Sequence, residues 1–189
     1  MPNWCSSRLT VTNSTPKLEE FLKEHGLSFE AIVKPDRPEV DEDGFETVTA
    51  QTNAWGTKWD LNENEAKESA TSLLENGSCD FNTAWSPPSE AIRTLSELTG
   101  ASFLLAYYEL GCWFWGVEDI SEGFISPELD GDKTKEQLKE FLMEHFGYDE
   151  DDADETVGID EDEDEETEEV ERLKDEKNGL YLGVQDIAN

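Results

Sequence analysis

Polar and apolar positions alternate from Trp4 to Thr12. Cys5, Leu9 and Val11 fall on one side and Thr10 and Thr12 on the other, which predicts a first strand ended by Asn13-Ser14. Thr15 can then cap a helix with Pro16 in its first turn, where a missing N–H costs nothing. Leu18, Phe21 and Leu22 recur at helical spacing, and Gly26 is a natural stop. Leu27 to Val33 reads as a second strand with Phe29 and Ile32 facing different neighbours. Lys34 to Asp43, rich in proline and acid, reads as a loop. Trp55-Gly-Thr-Lys-Trp-Asp60 reads as a short strand or bulge, with Gly56 permitting close backbone approach. Two patterns then compete. Asn64 to Leu74 is rich in helix-forming Ala, Lys and Glu, yet Asn76-Gly77 is a hairpin signal followed by alternation over Asp80–Ala84. The hairpin is the favoured expectation.

The second half reads more cleanly. Ser86 can cap a helix with Pro87 in its first turn, a buried stripe of Ile92, Leu95 and Leu98, and a stop at Gly100. Ser102 to Glu109 and Cys112 to Asp119 flank Leu110-Gly111 as an aromatic hairpin. The element order predicts an α+β fold, a largely antiparallel sheet with helices on one face. Thr134 to His145 follows the Asp130-Gly131 turn. It carries a Thr134/Gln137 capping box and an apolar face of Leu138, Phe141, Leu142 and Phe146, and is expected to dock on the sheet domain. Asn178 to Ile187 again looks like a strand. The expected organisation is a sheet domain with its docked helix over 1–148, an acidic arm over 149–177 and a returning strand over 178–189.

Charge changes this picture most at the arm. The chain of 189 residues has a net charge of −33. Asp149 to Glu171 contains sixteen Asp or Glu and no Lys or Arg, close to half of that excess. All six Trp and all nine Phe lie before residue 149, so that region can bury a core. Three cysteines without a C-x-x-C pattern fit a reduced cytoplasm. No secretory leader or membrane-spanning run is evident.

Four words of the chain carry a resemblance. They are Met1-Pro-Asn-Trp-Cys-Ser-Ser-Arg-Leu-Thr-Val11, Trp55-Gly-Thr-Lys-Trp-Asp60, Phe81-Asn-Thr-Ala-Trp-Ser-Pro-Pro88 and Tyr107-Tyr-Glu-Leu-Gly111. In this order they resemble the YubB-like family, the ferredoxin-like domain of Api-type phage and plasmid proteins, over roughly residues 1–120. The resemblance implies a ferredoxin-like α+β sandwich and a phage or plasmid setting in a bacterial host. It implies no activity, and the acidic arm lies outside the matched words.

Candidate chemistry is sparse. His25 and His145 both fall near predicted helix C-termini, where a histidine meets the helix dipole. Catalytic and dinucleotide fingerprints are absent. An EF-hand loop from Asp149 fails at Asp154 and Asp160, so neither metal nor cofactor is expected. Trp55, Trp59 and Trp85 are expected to be buried, and direct nucleic-acid binding is not expected, because the basic residues form no cluster.

The arm supports a sharper reading. Ten carboxylates lie in the twelve residues from Asp160 to Glu171. As a helix this is about one charge per 1.8 Å of axis, close to the one per about 1.7 Å of duplex DNA. The expected function is a non-enzymatic acidic binding protein, a DNA-mimic inhibitor on the basic, nucleic-acid-binding surface of a host defence or DNA-processing protein. The partner-binding candidates are Asp149, Asp151, Asp152 and Asp154, the run Asp160, Glu161, Asp162, Glu163, Asp164, Glu165 and Glu166, and then Glu168, Glu169 and Glu171. A solvated, purely solubilising run, an accessory or scaffold role in replication, and an enzyme remain the alternatives.

Overall fold

A computed structural model describes residues 3–35, 49–127 and 134–158. The chain forms two compact units, Met1–Lys133 and Thr134–Asn189. In the first, β1 (Trp4–Asn13), β2 (Ser78–Ala84), β3 (Ser102–Glu109), β4 (Phe114–Ser121) and β5 (Phe124–Pro127) form one antiparallel sheet in the order β2-β1-β3-β4-β5. Pairing of Leu9 with Cys79 and Leu105, and of Phe103 with Ile120, puts one row of side chains on a single face. Helices α1 (Pro16–His25), α2 (Phe29–Ile32), α3 (Thr49–Trp55), α4 (Glu63–Asn76) and α5 (Ser89–Thr99) belong to the same unit. α4 packs against β1 and β2, and α5 against β3, β4 and β5. The shared core includes Leu9, Leu22, Phe29, Phe81, Ile92, Leu95, Phe103 and Leu105. Each such side chain contributes about 1.5–3 kcal/mol by leaving water. The fold is the expected ferredoxin-like α+β arrangement.

Several local expectations are overturned. Phe29 to Ile32 is a helical turn, not a strand. Ser28 caps it by accepting from Ala31 N, and the Asp60 carboxylate accepts from Phe29 N at 2.7 Å and Glu30 N at 3.0 Å. The favoured hairpin across Asn76-Gly77 is instead the end of α4. Asn62 and Glu65 form a capping box at its start, and Gly77 closes it at φ 76°, ψ 0°. That left-handed conformation suits a helix C-cap as well as a hairpin, so the Asn-Gly signal was ambiguous. Trp55 ends α3, and the segment after it is a bend, not a strand. α5 begins at Ser89, after Pro88, with no side-chain cap, because Ser86 Oγ donates to Gly56 O instead. Leu98 is 52% exposed and lies outside the stripe. Cys112 is exposed in the β3–β4 turn, while Cys5 and Cys79 are buried. The strand β5 was not anticipated.

In the second unit, α6 (Lys135–Phe146) has the expected Thr134/Gln137 capping box and buries Leu138, Phe141, Leu142 and Phe146. Asp149 to Val157, assigned to the arm, is helical at its core. Asp149 caps α7 (Glu150–Val157), which buries Ala153 and Val157 and packs on α6. Two small residues at i, i+4 in an acid-rich segment give α7 one apolar edge. Lys139 Nζ reaches Asp154 Oδ1 at 2.7 Å and Glu150 Oε1 at 3.1 Å, and Lys135 Nζ donates to Gly158 O at 2.8 Å. The carboxylates from Asp160 onward, the strand expected at 178–187, and the loop over Asp36–Asp43 lie outside the described residues.

Candidate functional site

The most distinctive surface of the first unit is built by short-range backbone packing. Gly56 stands at φ 86°, and a Cβ there would come within 2.8 Å of Pro87 O. Only glycine lets the 56–60 bend lie against the 83–88 turn this closely. Thr57 Oγ1 donates to Ala84 O at 2.8 Å, Ser86 Oγ to Gly56 O at 2.5 Å, and Thr83 Oγ1 to Ser86 O at 2.8 Å. Trp85 is held at φ 78° while its N–H donates to Asn3 O at 2.9 Å. A left-handed backbone at a bulky residue costs on the order of 1–3 kcal/mol. Here the surrounding hydrogen bonds hold it.

These constraints turn two indoles outward. Trp59 and Trp85 are each 44% exposed and Trp4 is 54% exposed. Lys58 Nζ lies 4.7 Å from the Trp59 ring centroid and 4.2 Å from that of Trp85, and Trp4 lies 6.2 Å from Trp59 at a tilt of 55°. The expectation of buried tryptophans therefore holds for Trp55 alone. That indole is 6% exposed and donates to Val33 O at 2.9 Å. Hydrogen-bonded main chain at the bend and turn places the other two at the surface. Sequence reasoning missed the cluster. The available signal was Gly56 before Lys58-Trp59 and the proline pair after Trp85, both marks of a surface bend.

Three of the four sequence words meet at Asn3, and the second joins them where Trp59 packs on Trp4. Besides its bond to Trp85, Asn3 Nδ2 lies 3.5 Å from Cys112 Sγ, and a Cβ at Gly111 would come within 2.5 Å of that amide. The buried Glu109 carboxylate closes the turn by accepting from Gly111 N at 2.6 Å and Cys112 N at 2.5 Å. Beside the indoles opens a cleft of about 660 Å³ between Trp4, Ser6, Trp59, Asn62, Glu65 and Asn82. Its size suits a small ligand or a stretch of chain.

The interior thiols are not poised for attack. Burial pushes both Cys5 and Cys79 up to about 12, so each is a neutral thiol at physiological pH. Burial also raises Tyr107 to about 12 and raises the Glu118 carboxyl above its ordinary value. Both histidines sit in the last turn of their helices, His25 in α1 and His145 in α6, as expected.

Of the carboxylates proposed as partner-binding, Asp149, Asp151 and Asp152 are exposed and Asp154 is bound by Lys139. Glu155, not among them, is also exposed on α7. The candidates from Asp160 to Glu171 fall outside the described residues.

Residues 54–177 match the family model described as the ferredoxin-like domain in Api92-like protein. The chain belongs to that family. The match runs through α6, α7 and the whole of the acid-rich segment, so this segment lies within the family domain, contrary to the expectation from the four words. No curated protein and no solved structure matches the chain.

Proposed function

We propose that the protein is a non-enzymatic acidic binding protein, and that its C-terminal unit occupies a basic, nucleic-acid-binding surface of a host protein as duplex DNA would. The observation that carries this reading is α7. Its eight residues hold five carboxylates, about one per 2.4 Å of helix axis. Asp151, Asp152 and Glu155 point to solvent, while Lys139 engages Glu150 and Asp154. Ten further acids follow between Asp160 and Glu171. Such a field repels nucleic acid and draws in basic surfaces. The YubB-like words supply the phage or plasmid context, in which a defence nuclease or DNA-processing complex is the natural target.

The test is capture from a bacterial lysate on the immobilised full chain at about 0.15 M and about 1 M salt. The Debye length shrinks from about 8 Å to about 3 Å between these conditions. Basic nucleic-acid-binding proteins should be retained at the lower salt and lost at the higher. Retention that is flat with salt overturns the electrostatic reading.

A further inference from the structure

We infer that the free edge of β2 is a docking groove for an extended, basic segment of a protein partner, which adds to the sheet as a further strand. Among the described residues β2 pairs only with β1. Val11 N donates to Gly77 O at 2.8 Å, and this fixes the alternation of the ladder. Cys79, Phe81 and Thr83 turn their main-chain groups toward β1. Ser78, Asp80, Asn82 and Ala84 turn theirs outward. The two outer positions are capped within the domain: Ser78 O by Ser72 Oγ at 2.7 Å, and Ala84 O by Thr57 Oγ1 at 2.8 Å. Between them, the register leaves the N–H and C=O of Asp80 and Asn82 facing outward, enough for four main-chain hydrogen bonds to one added strand.

Beside this edge runs a groove. A hollow of about 320 Å³ lies between α4 and β2, bounded by Glu65, Glu68, Ser72, Asp80 and Asn82. It shares Glu65 and Asn82 with the larger cleft at Trp4 and Trp59, so the two are continuous along the strand. Edge strands are ordinarily blunted by lysine, proline or a covering element. This one presents carboxylates, which repel a second copy of this acidic chain and leave the edge to a basic strand. Side chains of an added strand alternate between two sides. On one side they meet Glu65 and Glu68, and on the other Asp80, whose carboxylate is 57% exposed despite its bond to Arg8. Charge complementarity therefore selects lysine and arginine. Main-chain pairing supplies affinity, and the indoles at the Ala84 end give the segment a place for one apolar side chain. This site lies in the sheet unit and does not depend on the acidic helix or on mimicry of DNA.

The probe is a labelled peptide of about eight residues in which lysine alternates with valine, added to the full chain. Binding by fluorescence anisotropy should saturate, and hydrogen exchange at the Asp80 and Asn82 amides should slow about tenfold or more. The same peptide N-methylated at alternate amides should not bind, and a glutamate–valine peptide should not bind. Glu68→Lys should weaken binding about tenfold with an unchanged circular-dichroism spectrum. Neutralising the acids between Asp160 and Glu171 should leave exchange protection at Asp80 and Asn82 in place, which separates this site from the proposed arm function. Absence of saturable binding, equal binding of the N-methylated peptide, or protection confined to α7 would overturn the inference.

Discussion

Asp60 is the residue on which the local architecture around Trp59 turns, and its removal gives a quantitative test. Its Oδ1 accepts from Phe29 N at 2.7 Å and from Leu61 N at 2.8 Å, and its Oδ2 from Ser28 Oγ at 2.8 Å and Glu30 N at 3.0 Å. One carboxylate thus ties the bend after α3 to the start of α2, across about thirty residues of chain. Losing a helix cap costs about 0.5–2 kcal/mol, and stranding further donors of a charged acceptor adds about 1–3 kcal/mol. Because the site is partly open to water, which rescues some of these donors, Asp60→Ala should cost about 2–4 kcal/mol. Asp60→Asn keeps an acceptor for Phe29 N and Leu61 N but turns an NH₂ toward Glu30 N, so it should cost about half as much. Urea denaturation of the full chain, followed by tryptophan fluorescence and circular dichroism, measures both. The midpoint should fall in the order wild type, Asn, Ala with little change in slope. An alanine variant within about 0.5 kcal/mol of wild type would refute the assigned role.

Three further outcomes follow from the same geometry. Trp55→Ala should cost about 3–5 kcal/mol because it empties a buried site, whereas Trp59→Ala should cost under about 1.5 kcal/mol; equal losses in thermal melts would contradict the burial assignment. Gly56→Ala should destabilise by about 2 kcal/mol or more, since its Cβ meets Pro87 O at a positive φ, while Gly77→Ala, with open space around its Cβ, should lose only about 1 kcal/mol of backbone strain. Glu118 has its pKa raised by burial, so the folded state holds that proton more tightly, and stability falls as pH rises from the ordinary value through the raised one. Glu118→Gln should therefore gain stability at neutral pH and lose that advantage at pH values below about 4; a gain that is constant with pH would contradict the shift.

The elements that could be read in the sequence are those whose signals act locally. Thr15-Pro16 and Gly26 bound α1, Thr134 and Gln137 bound α6, and the alternation of β1, β3 and β4 is set by one buried face. The elements misread depend on residues far along the chain or on signals with two meanings. α2 exists because Asp60 caps it from another segment. Asn76-Gly77 fits a helix end and a hairpin alike, and the deciding evidence was the Asn62/Glu65 box fourteen residues earlier. Trp59 and Trp85 look like core residues by type. Their exposure follows from Gly56, Thr57 and Ser86 tying two bends together, which no periodicity records. The charge of α7 was plain in the sequence. Its helical form rests on Asp149, on Ala153 and Val157 against α6, and on Lys139.

In the proposed function, carboxylates of the C-terminal unit stand in for a nucleic-acid backbone. The most direct test takes the protein captured at low salt and measures competition between the full chain and duplex DNA. A parallel variant has the acids from Asp160 to Glu171, together with Asp151, Asp152 and Glu155, changed to Asn or Gln. DNA and the native chain should displace one another, and the variant should lose this competition about a hundredfold or more while keeping its melting temperature. Undiminished competition by a folded variant would contradict it.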